Sequence, residues 1–402
     1  MTEVRPRSPR SVRTGYLPSL DGWRAIAVIG VMMTHDRSWV IFGHSLSTAM
    51  GYGGYGVYLF FAISGFLITT RILEEEAICG QFDIRRFYIR RVFRIQPAAL
   101  VYLAVVSVVM LAGLSRDSWF SWVSALCLFT NFTWHPWSVP TLTGHFWTLA
   151  VEEHFYILLS VTLWMVKRYR ATALAVLLTG FTLPLVASYG IRHGWYLPAN
   201  TPRSTQWQLT PLLLASLVAV MLRRKVLLRL VKAMLYPWVA FAGTLGIIVG
   251  KLVYAELRYH LTFEPLHHLP DMYPFAATYL LILWIVATVF HPDSWTTRVL
   301  ELGWMRFIGR ISYSLYLWHV LVFYLWTLIF FTPKAPLGHL IQHGGVLSWL
   351  EMPAKYAAIF IVATLSYYTI ERPLIRMGHR LAPPATPGRP ELADLPSSGS
   401  QG

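Results

Sequence analysis

The sequence predicts an all-α, polytopic membrane protein with about ten transmembrane helices and with both termini in the cytoplasm. Of its 402 residues, 55% are hydrophobic and only 13% are charged, and the mean hydropathy is +0.49. A soluble domain carries about a quarter of its residues as charged side chains. Apolar segments of about 20 residues, the length that crosses a bilayer as a helix, recur along almost the whole chain. We therefore exclude a soluble globular protein.

Ten apolar segments are candidates for membrane spans. They are Gly22–Phe42, Gly53–Ile72, Ile95–Leu114, His145–Val166, Thr172–Ile191, Leu209–Leu222, Ala233–Tyr254, Met272–Phe290, Phe307–Phe331 and Pro353–Ile370. A further apolar stretch, Trp119–Phe132, is expected to be interfacial or re-entrant. If it crossed the membrane, the basic run Lys167, Arg168 and Arg170 would follow a helix that ends outside.

The basic residues predict the orientation of these spans. With ten spans and a cytoplasmic N-terminus, 26 of the 34 Lys and Arg residues fall on the cytoplasmic side and 8 on the outer side. This division agrees with the positive-inside rule. The net charge of +15 is therefore an orientation signal, and nucleic acid is not an expected partner, because the charges lie between apolar segments rather than on one soluble face.

The chain is expected to have three parts. Residues 1–19 form a basic cytoplasmic segment, residues 20–380 form the membrane domain, and residues 381–402 form a disordered cytoplasmic tail. The two cysteines, Cys79 and Cys127, are too few and too scattered for a disulfide framework or a zinc site. No metal site is expected.

Arg24 and His35 are the first candidates for function, because ionisable groups within a bilayer are costly and usually functional. Eleven helical residues separate them, so both lie on one helix face, roughly 16 Å apart along the axis. His35 is expected roughly 10 Å below the outer end of its helix. A neutral imidazole there can act as a general base toward a hydroxyl. The alternative for His35 is an interhelical hydrogen bond, and Asp36 is a candidate for the acceptor or the outer interface.

Glu152 is the next candidate, on the fourth predicted span. It is also expected roughly 10 Å below the outer surface, at the depth of His35. A carboxylate that contacts Nδ1 of His35 would orient the ring and stabilise its charged form. The alternative is a structural carboxylate paired with an arginine or a hydroxyl, and Glu153 faces elsewhere.

Two further residues could line the same cavity. His319 lies near the middle of the ninth predicted span and is either catalytic or a satisfied core histidine. Ser64 precedes Gly65 in a span rich in glycine, where small residues allow close helix packing or leave room for a ligand.

An arginine-rich stretch lies between the second and third predicted spans. Arg90, Arg91 and Arg94 share one helical face and alternate with aromatic residues. Such a cluster either sets topology and binds anionic lipid headgroups or binds the phosphates of a cytoplasmic donor, since arginine suits phosphate recognition.

Six stretches together resemble acyltransferase family 3, the integral-membrane O-acyltransferases that modify cell-surface polysaccharides, peptidoglycan and some macrolides. They are Leu20 to Ala27 running on to His35, Gly56 to Ile68, Arg94 to Pro97, Trp147 to Tyr156, Ser312 to His319, and Glu371 to Pro373. They occur in family order from residue 20 to residue 373. Two positions depart from the family pattern, because Tyr58 stands where many members have aspartate and Asp36 stands where small or apolar residues are usual.

The resemblance implies transfer of an acyl group, typically acetyl from acetyl-CoA, to a hydroxyl of a carbohydrate or lipid-linked glycan at a bacterial inner (plasma) membrane. It implies that His35 is catalytic with Arg24 as its motif partner, that Arg91 and Arg94 bind the donor, and that Glu152 is a functional carboxylate. The expected partners are acyl-CoA, the glycan acceptor and membrane lipids, with no permanently bound cofactor. A ten-helix transporter that uses the buried His and Glu for proton coupling is the alternative, and the sequence shows no internal repeat of the kind that many transporters have.

Overall fold

The computed structural model describes residues 16–36, 40–41, 44–45, 54–132, 142–165, 205–223, 242–243, 245–246, 249, 269–331 and 346–383. The main helices are α1 (Pro18–His35), α2 (Gly54–Cys79), α3 (Ile84–Leu111), α4 (Trp119–Leu126), α5 (Phe146–Met165), α6 (Thr205–Arg223), α7 (Leu269–Phe290), α8 (Trp295–Leu300), α9 (Gly303–Arg310), α10 (Ser312–Phe330), α11 (Val346–Ser366) and α12 (Arg372–Leu381). A two-residue antiparallel ladder joins β1 (Val40–Ile41) to β2 (His44–Ser45). The described part of the chain is thus helical apart from this ladder, as predicted.

Four helical segments of the described chain are long and apolar enough to cross a membrane. They are Tyr55–Cys79, Ile84–Leu111, Ser312–Phe330 and the continuous segment Leu350–Leu381. They lie at the second, third, ninth and tenth predicted spans, and shorter apolar helices lie at the sixth and eighth. The fifth predicted span, most of the seventh and the predicted tail from residue 384 onward lie outside the described residues. The total of ten spans and the side of each terminus stay predictions.

The first helix ends earlier than the hydropathy pattern predicts. α1 ends at His35, and Asp36 is already extended, with φ −90° and ψ 108°. The predicted span to Phe42 is therefore wrong, because the chain leaves the helix at Asp36 and then enters the β1–β2 ladder. As a result, His35 lies at the end of its helix and not two turns inside it.

The arginine-rich stretch belongs to α3 and not to a separate connection. Asp83 caps this helix, since its side chain accepts a hydrogen bond from the backbone N–H of Arg86 at 3.0 Å. Such a cap satisfies one of the donors left open at a helix N-terminus. The cap starts the helix at Ile84, more than two turns before the predicted span at Ile95, and fixes the direction of each arginine.

The stretch predicted to be interfacial does not span. α4 has eight residues, about 12 Å of helix, against a hydrocarbon core of about 30 Å. Its apolar side chains remain exposed, among them Trp119, Phe120 and Val123. This confirms that α4 is too short to cross the membrane.

Glycines bring α1, α2 and α6 into close contact. A Cβ atom at Gly65 would lie 2.2 Å from the backbone oxygen of Leu212, and one at Gly56 would lie 2.7 Å from that of Ala27. Neither helix pair could pack as it does with a larger residue at these positions. The packing interpretation of these glycines is therefore confirmed, and the tight contact holds Ser64, next to Gly65, at a fixed place in the bundle.

The last long helix contains a π-helical turn, Tyr367–Glu371, between α11 and α12. Glu371 is 3% exposed and accepts a hydrogen bond from the hydroxyl of Ser314 on α10. Single π turns are often found at functional sites. Here the turn brings a carboxylate to the side of α10.

Candidate active site

A cavity of about 810 Å³, counting the space that opens to solvent, lies between α1, α2, α3, α5 and α10. Its lining includes Arg24, Phe60, Ser64, Arg91, Arg94, Thr148, Glu152, Tyr156, Ser312, Tyr313 and Tyr316. Five residues predicted for the site therefore meet here from four helices. We call this space the arginine cavity.

Glu152 is held in the arginine cavity by two hydroxyl groups. Ser64 Oγ donates to Oε1 at 2.9 Å, and the Tyr156 hydroxyl donates to Oε2 at 2.9 Å. Both carboxylate oxygens are thus engaged and oriented. This arrangement agrees in part with the structural alternative, in which a hydroxyl pairs with the carboxylate. Glu152, however, lies at the wall of a cavity.

Arg91 and Arg94 carry charge toward the cavity without a carboxylate partner. Within the described ranges, neither of them forms an ion pair. Arg91 lies over the ring of Tyr156, with Cζ 4.0 Å from the ring centroid. A stacked guanidinium keeps its N–H groups available, which suits it to bind an anion.

Arg90 does not line the arginine cavity with Arg91 and Arg94, contrary to the prediction. Its guanidinium binds Glu75 Oε2 at 3.0 Å and lies 3.5 Å from the carbonyl oxygen of Ala382. On the helix, Arg90 lies only about 40° from Arg94 but one turn, about 6 Å, nearer the start of α3, so its level along the axis separates it from the cavity. Arg90 therefore faces the end of α2, where it ties α3 to that helix.

Arg24, also in the lining of the arginine cavity, is held by Asp21. Nη1 of Arg24 lies 3.4 Å from Oδ1 of Asp21, whose side chain is 6% exposed. The Tyr16 hydroxyl donates to the second oxygen of Asp21. Burial raises the pKa of Tyr16, and this hydrogen bond raises it further. Tyr16 therefore stays protonated as a donor at neutral pH, and Asp21 has partners on both oxygens.

His35 lies at the exposed end of α1. Its Nδ1 is 2.8 Å from the carbonyl oxygen of Val31. Because a carbonyl only accepts hydrogen bonds, Nδ1 must carry the proton. The neutral ring then has its basic lone pair on Nε2. This is the tautomer that a general base acting through Nε2 requires.

Two more histidines pack beside His35. The rings of His35 and His319 are 5.0 Å apart between centroids, and those of His319 and His145 are 5.7 Å apart. His319 is fully buried, and its Nδ1 lies 2.6 Å from the carbonyl oxygen of Tyr316. Its Nε2 is therefore also the basic nitrogen. We call these three residues the histidine cluster.

The histidine cluster and Glu152 lie at different depths, which overturns the prediction that Glu152 contacts His35. His145 directly precedes α5, and Glu152 follows it by seven residues, roughly 10 Å along the helix. Both oxygens of Glu152 and Nδ1 of His35 have the other partners named above. The depth of His35 was mispredicted because α1 stops at His35 instead of continuing to Phe42.

Thr148 and Tyr316 lie between the arginine cavity and the histidine cluster. Both line the cavity, and their hydroxyls are 2.5 Å apart. The Tyr316 hydroxyl also donates to the carbonyl oxygen of His145 at 2.5 Å, and the ring of Tyr316 lies 5.8 Å from that of His319. Thr148 and Tyr316 therefore connect the arginine cavity to the histidine cluster.

Asp36, a candidate for acceptor binding, forms a buried ion pair instead. Its Oδ1 lies 3.0 Å from Nζ of Lys355 on α11. The bond joins the end of α1 to another helix, and the two roles that the sequence left open for Asp36, the acceptor and the outer interface, stay predictions.

Sequence reasoning assigned no role to His145, Thr148, Tyr156, Tyr316 or Lys355. A signal existed for two of them, because Tyr316 precedes His319 by three residues and Tyr156 follows Glu152 by four. Both spacings put side chains on one helix face. Nothing in the sequence linked Lys355 to Asp36, which is 319 positions away.

Comparison with known proteins gives the family of this chain. Residues 17–368 match the acyltransferase domain that defines acyltransferase family 3. The peptidoglycan O-acetyltransferase OatA of Listeria monocytogenes is 27% identical over 90% of this chain and 56% of its own length. YrhL of Bacillus subtilis, provisionally named a peptidoglycan O-acetyltransferase, is 29% identical over 91% of this chain and 56% of its own length.

A further relative in Staphylococcus aureus (strain COL), provisionally named an O-acetyltransferase, is 29% identical over 76% of this chain and 50% of its own length. The chain thus spans about half the length of the curated relatives it matches. No solved structure matches it. Because the family domain covers nearly the whole chain, from before α1 to the π turn, the chain belongs to acyltransferase family 3.

Proposed function

We propose that this chain transfers an acyl group, typically acetyl, from acyl-CoA to a hydroxyl of a cell-envelope carbohydrate. The observation that carries the proposal is the pairing of the arginine cavity with an exposed histidine whose Nε2 is the basic nitrogen. Thr148 and Tyr316 connect the two. The arginine cavity suits a polyanionic donor, and the exposed histidine suits removal of a hydroxyl proton.

The arginine cavity is the proposed donor site. Arg91 and Arg94 line the cavity and form no ion pair with a carboxylate of the described residues, and Arg24 belongs to the same lining. Guanidinium groups bind phosphate oxygens through short charge-assisted hydrogen bonds. We place the phosphates of acyl-CoA at Arg91 and Arg94, with the thioester directed toward Tyr316 and His35. Glu152 shapes the donor wall by holding Ser64 and the tyrosine under Arg91.

His35 is the proposed general base. Its Nε2 takes the proton of the acceptor hydroxyl while the hydroxyl oxygen attacks the thioester carbonyl carbon. The carbon–sulfur bond then breaks, and the CoA thiolate takes the proton back from the imidazolium. Atoms and charge balance, and no covalent acyl-enzyme is needed. The Val31 carbonyl keeps the ring in the required tautomer throughout.

The proposed acceptor is a glycan hydroxyl, since two relatives are named for O-acetylation of peptidoglycan. We place the chain in the bacterial cell membrane with ten spans and cytoplasmic termini. The donor would then enter from the cytoplasm past the start of α3, and the acceptor would meet His35 from the outer side.

The test is acyl transfer by the purified protein in liposomes. Acetyl-CoA is supplied on the side of the arginine cavity with soluble peptidoglycan fragments or N-acetylglucosamine oligomers as acceptors. Free CoA thiol is measured over time, and the ester on the glycan is identified by mass spectrometry. We expect CoA release that depends on both the acceptor and His35.

A transporter gives a different result in the same liposomes. It would move a labelled sugar across the bilayer without releasing CoA. Sugar flux without release of the CoA thiol would overturn the proposed reaction, whether or not the protein binds CoA.

A further inference from the structure

A buried ion pair lies directly beside the proposed base. Asp36 Oδ1 is 3.0 Å from Lys355 Nζ, and the two side chains are 4% and 6% exposed. Lys355 Nζ also lies 3.4 Å from Glu351 Oε1, one turn earlier on the same helix. Burying such charges has a large desolvation cost, and apolar replacements of buried pairs are often equally stable. Stability alone therefore does not account for the pair.

The pair fixes the place where α1 ends. Asp36 is the C-cap residue of α1, and its backbone N–H donates to the carbonyl oxygen of Met32 at 3.0 Å. His35, the residue before it, is exposed, whereas Thr34 and Asp36 on either side are buried. The buried neighbours therefore fix the backbone from which the His35 ring projects, while the Val31 carbonyl and the His319 ring hold the ring itself. Of the two neighbours, only Asp36 ties α1 to a helix far along the chain.

Lys355 reaches the histidine cluster by a second route. Its Nζ lies 5.5 Å from the ring centroid of Phe323. The ring of Phe323 is 6.0 Å from that of His319, which in turn packs 5.0 Å from His35. One side chain of α11 thus supports both the backbone next to His35 and the ring that His35 packs against.

We propose that Asp36 and Lys355 are positioning residues for His35. Their ion pair anchors the end of α1 to α11 so that Nε2 of His35 points to the reacting hydroxyl. The inference rests on the proposed function, in which His35 is the base. It also gives a role to the aspartate that departs from the family pattern.

The test compares four single variants in the liposome assay. Asp36→Asn and Lys355→Met break the pair, Lys355→Arg keeps the charge, and Glu351→Gln removes the other carboxylate of Lys355 without touching α1. Misplacing a catalytic group by about 1 Å can cost 10²-fold in rate. We expect kcat to fall about tenfold or more for the first two variants, with the KM for acetyl-CoA unchanged. Lys355→Arg should recover most of kcat, and Glu351→Gln should resemble the wild type.

Two further variants separate positioning from folding. Asp36→Leu combined with Lys355→Met removes both charges without leaving one unpaired. We expect this protein to bind CoA with full stoichiometry and yet to keep the low kcat. Asp36→Asn in the His35→Ala background should add no further loss, because residues that act as one unit are not additive.

The outcomes distinguish the two claims. If His35→Ala abolishes transfer but Asp36→Asn keeps wild-type kcat, the positioning role is wrong and the proposed function stands. A wild-type kcat for the doubly apolar variant, or a full extra loss in the His35→Ala background, also overturns it. If His35→Ala itself keeps full activity, the general base of the proposed function fails.

Discussion

The arginine cavity and the histidine cluster are built from the same helices, yet they handle charge in opposite ways. α1 supplies Arg24 to one and His35 to the other, and α5 supplies Glu152 and the turn at His145. In the cavity, Glu152 is held by hydroxyls, Arg91 by an aromatic ring and Arg24 by Asp21, all of them side chains. In the cluster, Nδ1 of His35 and of His319 is held by a backbone carbonyl. A single helix therefore presents two different environments about three turns apart.

This difference indicates a division of work. Side-chain partners leave the net positive charge of the cavity in place, which favours a ligand that carries several negative charges. Carbonyl partners fix a tautomer and leave one basic nitrogen, which favours the movement of a single proton. If the division is correct, variants in the cavity should change the KM for the donor, and variants in the cluster should change kcat.

Replacement of the base should have the largest effect. We expect His35→Ala to lower kcat by about 10²- to 10⁴-fold, the usual contribution of a general base. The KM for acetyl-CoA should stay close to its wild-type value. Both constants are measured by CoA release in liposomes.

His154 provides the matched control, because it lies on α5 and stacks on Phe132 away from the cluster, with ring centroids 5.6 Å apart. His154→Ala should keep wild-type kcat. An equal loss in both variants would show that the effect is not particular to the proposed base.

Loss of the two arginines proposed to bind the donor should come next. Hydrogen bonds to charged groups contribute about 1.5 to 3 kcal/mol each. We therefore expect Arg91→Gln or Arg94→Gln to raise the KM for acetyl-CoA by about 10- to 100-fold with a smaller change in kcat. Initial rates over a range of donor concentrations give both values.

Arg90→Gln is the control for these two variants. It removes the same charge one residue away, from a side chain bound to Glu75. Its KM for the donor should change by less than about threefold. If all three arginines raise KM equally, the effect comes from the general positive potential and not from the cavity.

These same residues show how much of the site could be predicted from the sequence. The sequence selected Arg24, Ser64, Arg91, Arg94 and Glu152 as separate candidates, and all five line one cavity. It also grouped Arg90 with the other two arginines, because spacing gives direction around a helix and not the partner that a side chain meets. Hydropathy could not find the end of α1, since the sequence becomes apolar again from Trp39 to Phe42 after the short polar run at 36–38, whereas the backbone is already extended at Asp36. The depth of His35, and with it the partner of Glu152, was wrong for that reason.

Contacts between distant segments could not be predicted from the sequence, for a different reason. The Tyr316 bond to Thr148 and the Lys355 bond to Asp36 depend on how whole helices pack. A single sequence states which side chains share a face but not which face of another helix lies opposite.

Glu152→Gln tests whether the carboxylate contributes to donor binding in the arginine cavity or to the chemistry at the histidine cluster. The amide keeps the size of the side chain but replaces one hydrogen-bond acceptor with a donor, which then faces Ser64 or Tyr156. Tyr156 lies under Arg91, so we expect the KM for the donor to rise by about tenfold, in line with one lost charged hydrogen bond. Steady-state kinetics of Glu152→Gln and of its neighbour Glu153→Gln give the comparison.

Glu153 does not line the cavity, so its variant should keep the wild-type KM. A large fall in kcat for Glu152→Gln with an unchanged KM would instead move Glu152 to the chemistry of His35. The division between the two environments would then be wrong.

Tyr316→Phe should have the smallest effect and tests the boundary itself. The change removes the hydroxyl that bonds to Thr148 and to the His145 carbonyl but keeps the ring. A neutral hydrogen bond contributes about 1 kcal/mol, so we expect kcat to fall about fivefold. The KM for acetyl-CoA should not change, because the hydroxyl points to the histidine cluster. Tyr324→Phe makes the same change on α10, where the hydroxyl bonds to Leu114, and should leave kcat unaltered. If Tyr316→Phe raised KM and left kcat intact, Tyr316 would belong to the donor wall alone, and the path from thioester to His35 would have to pass elsewhere.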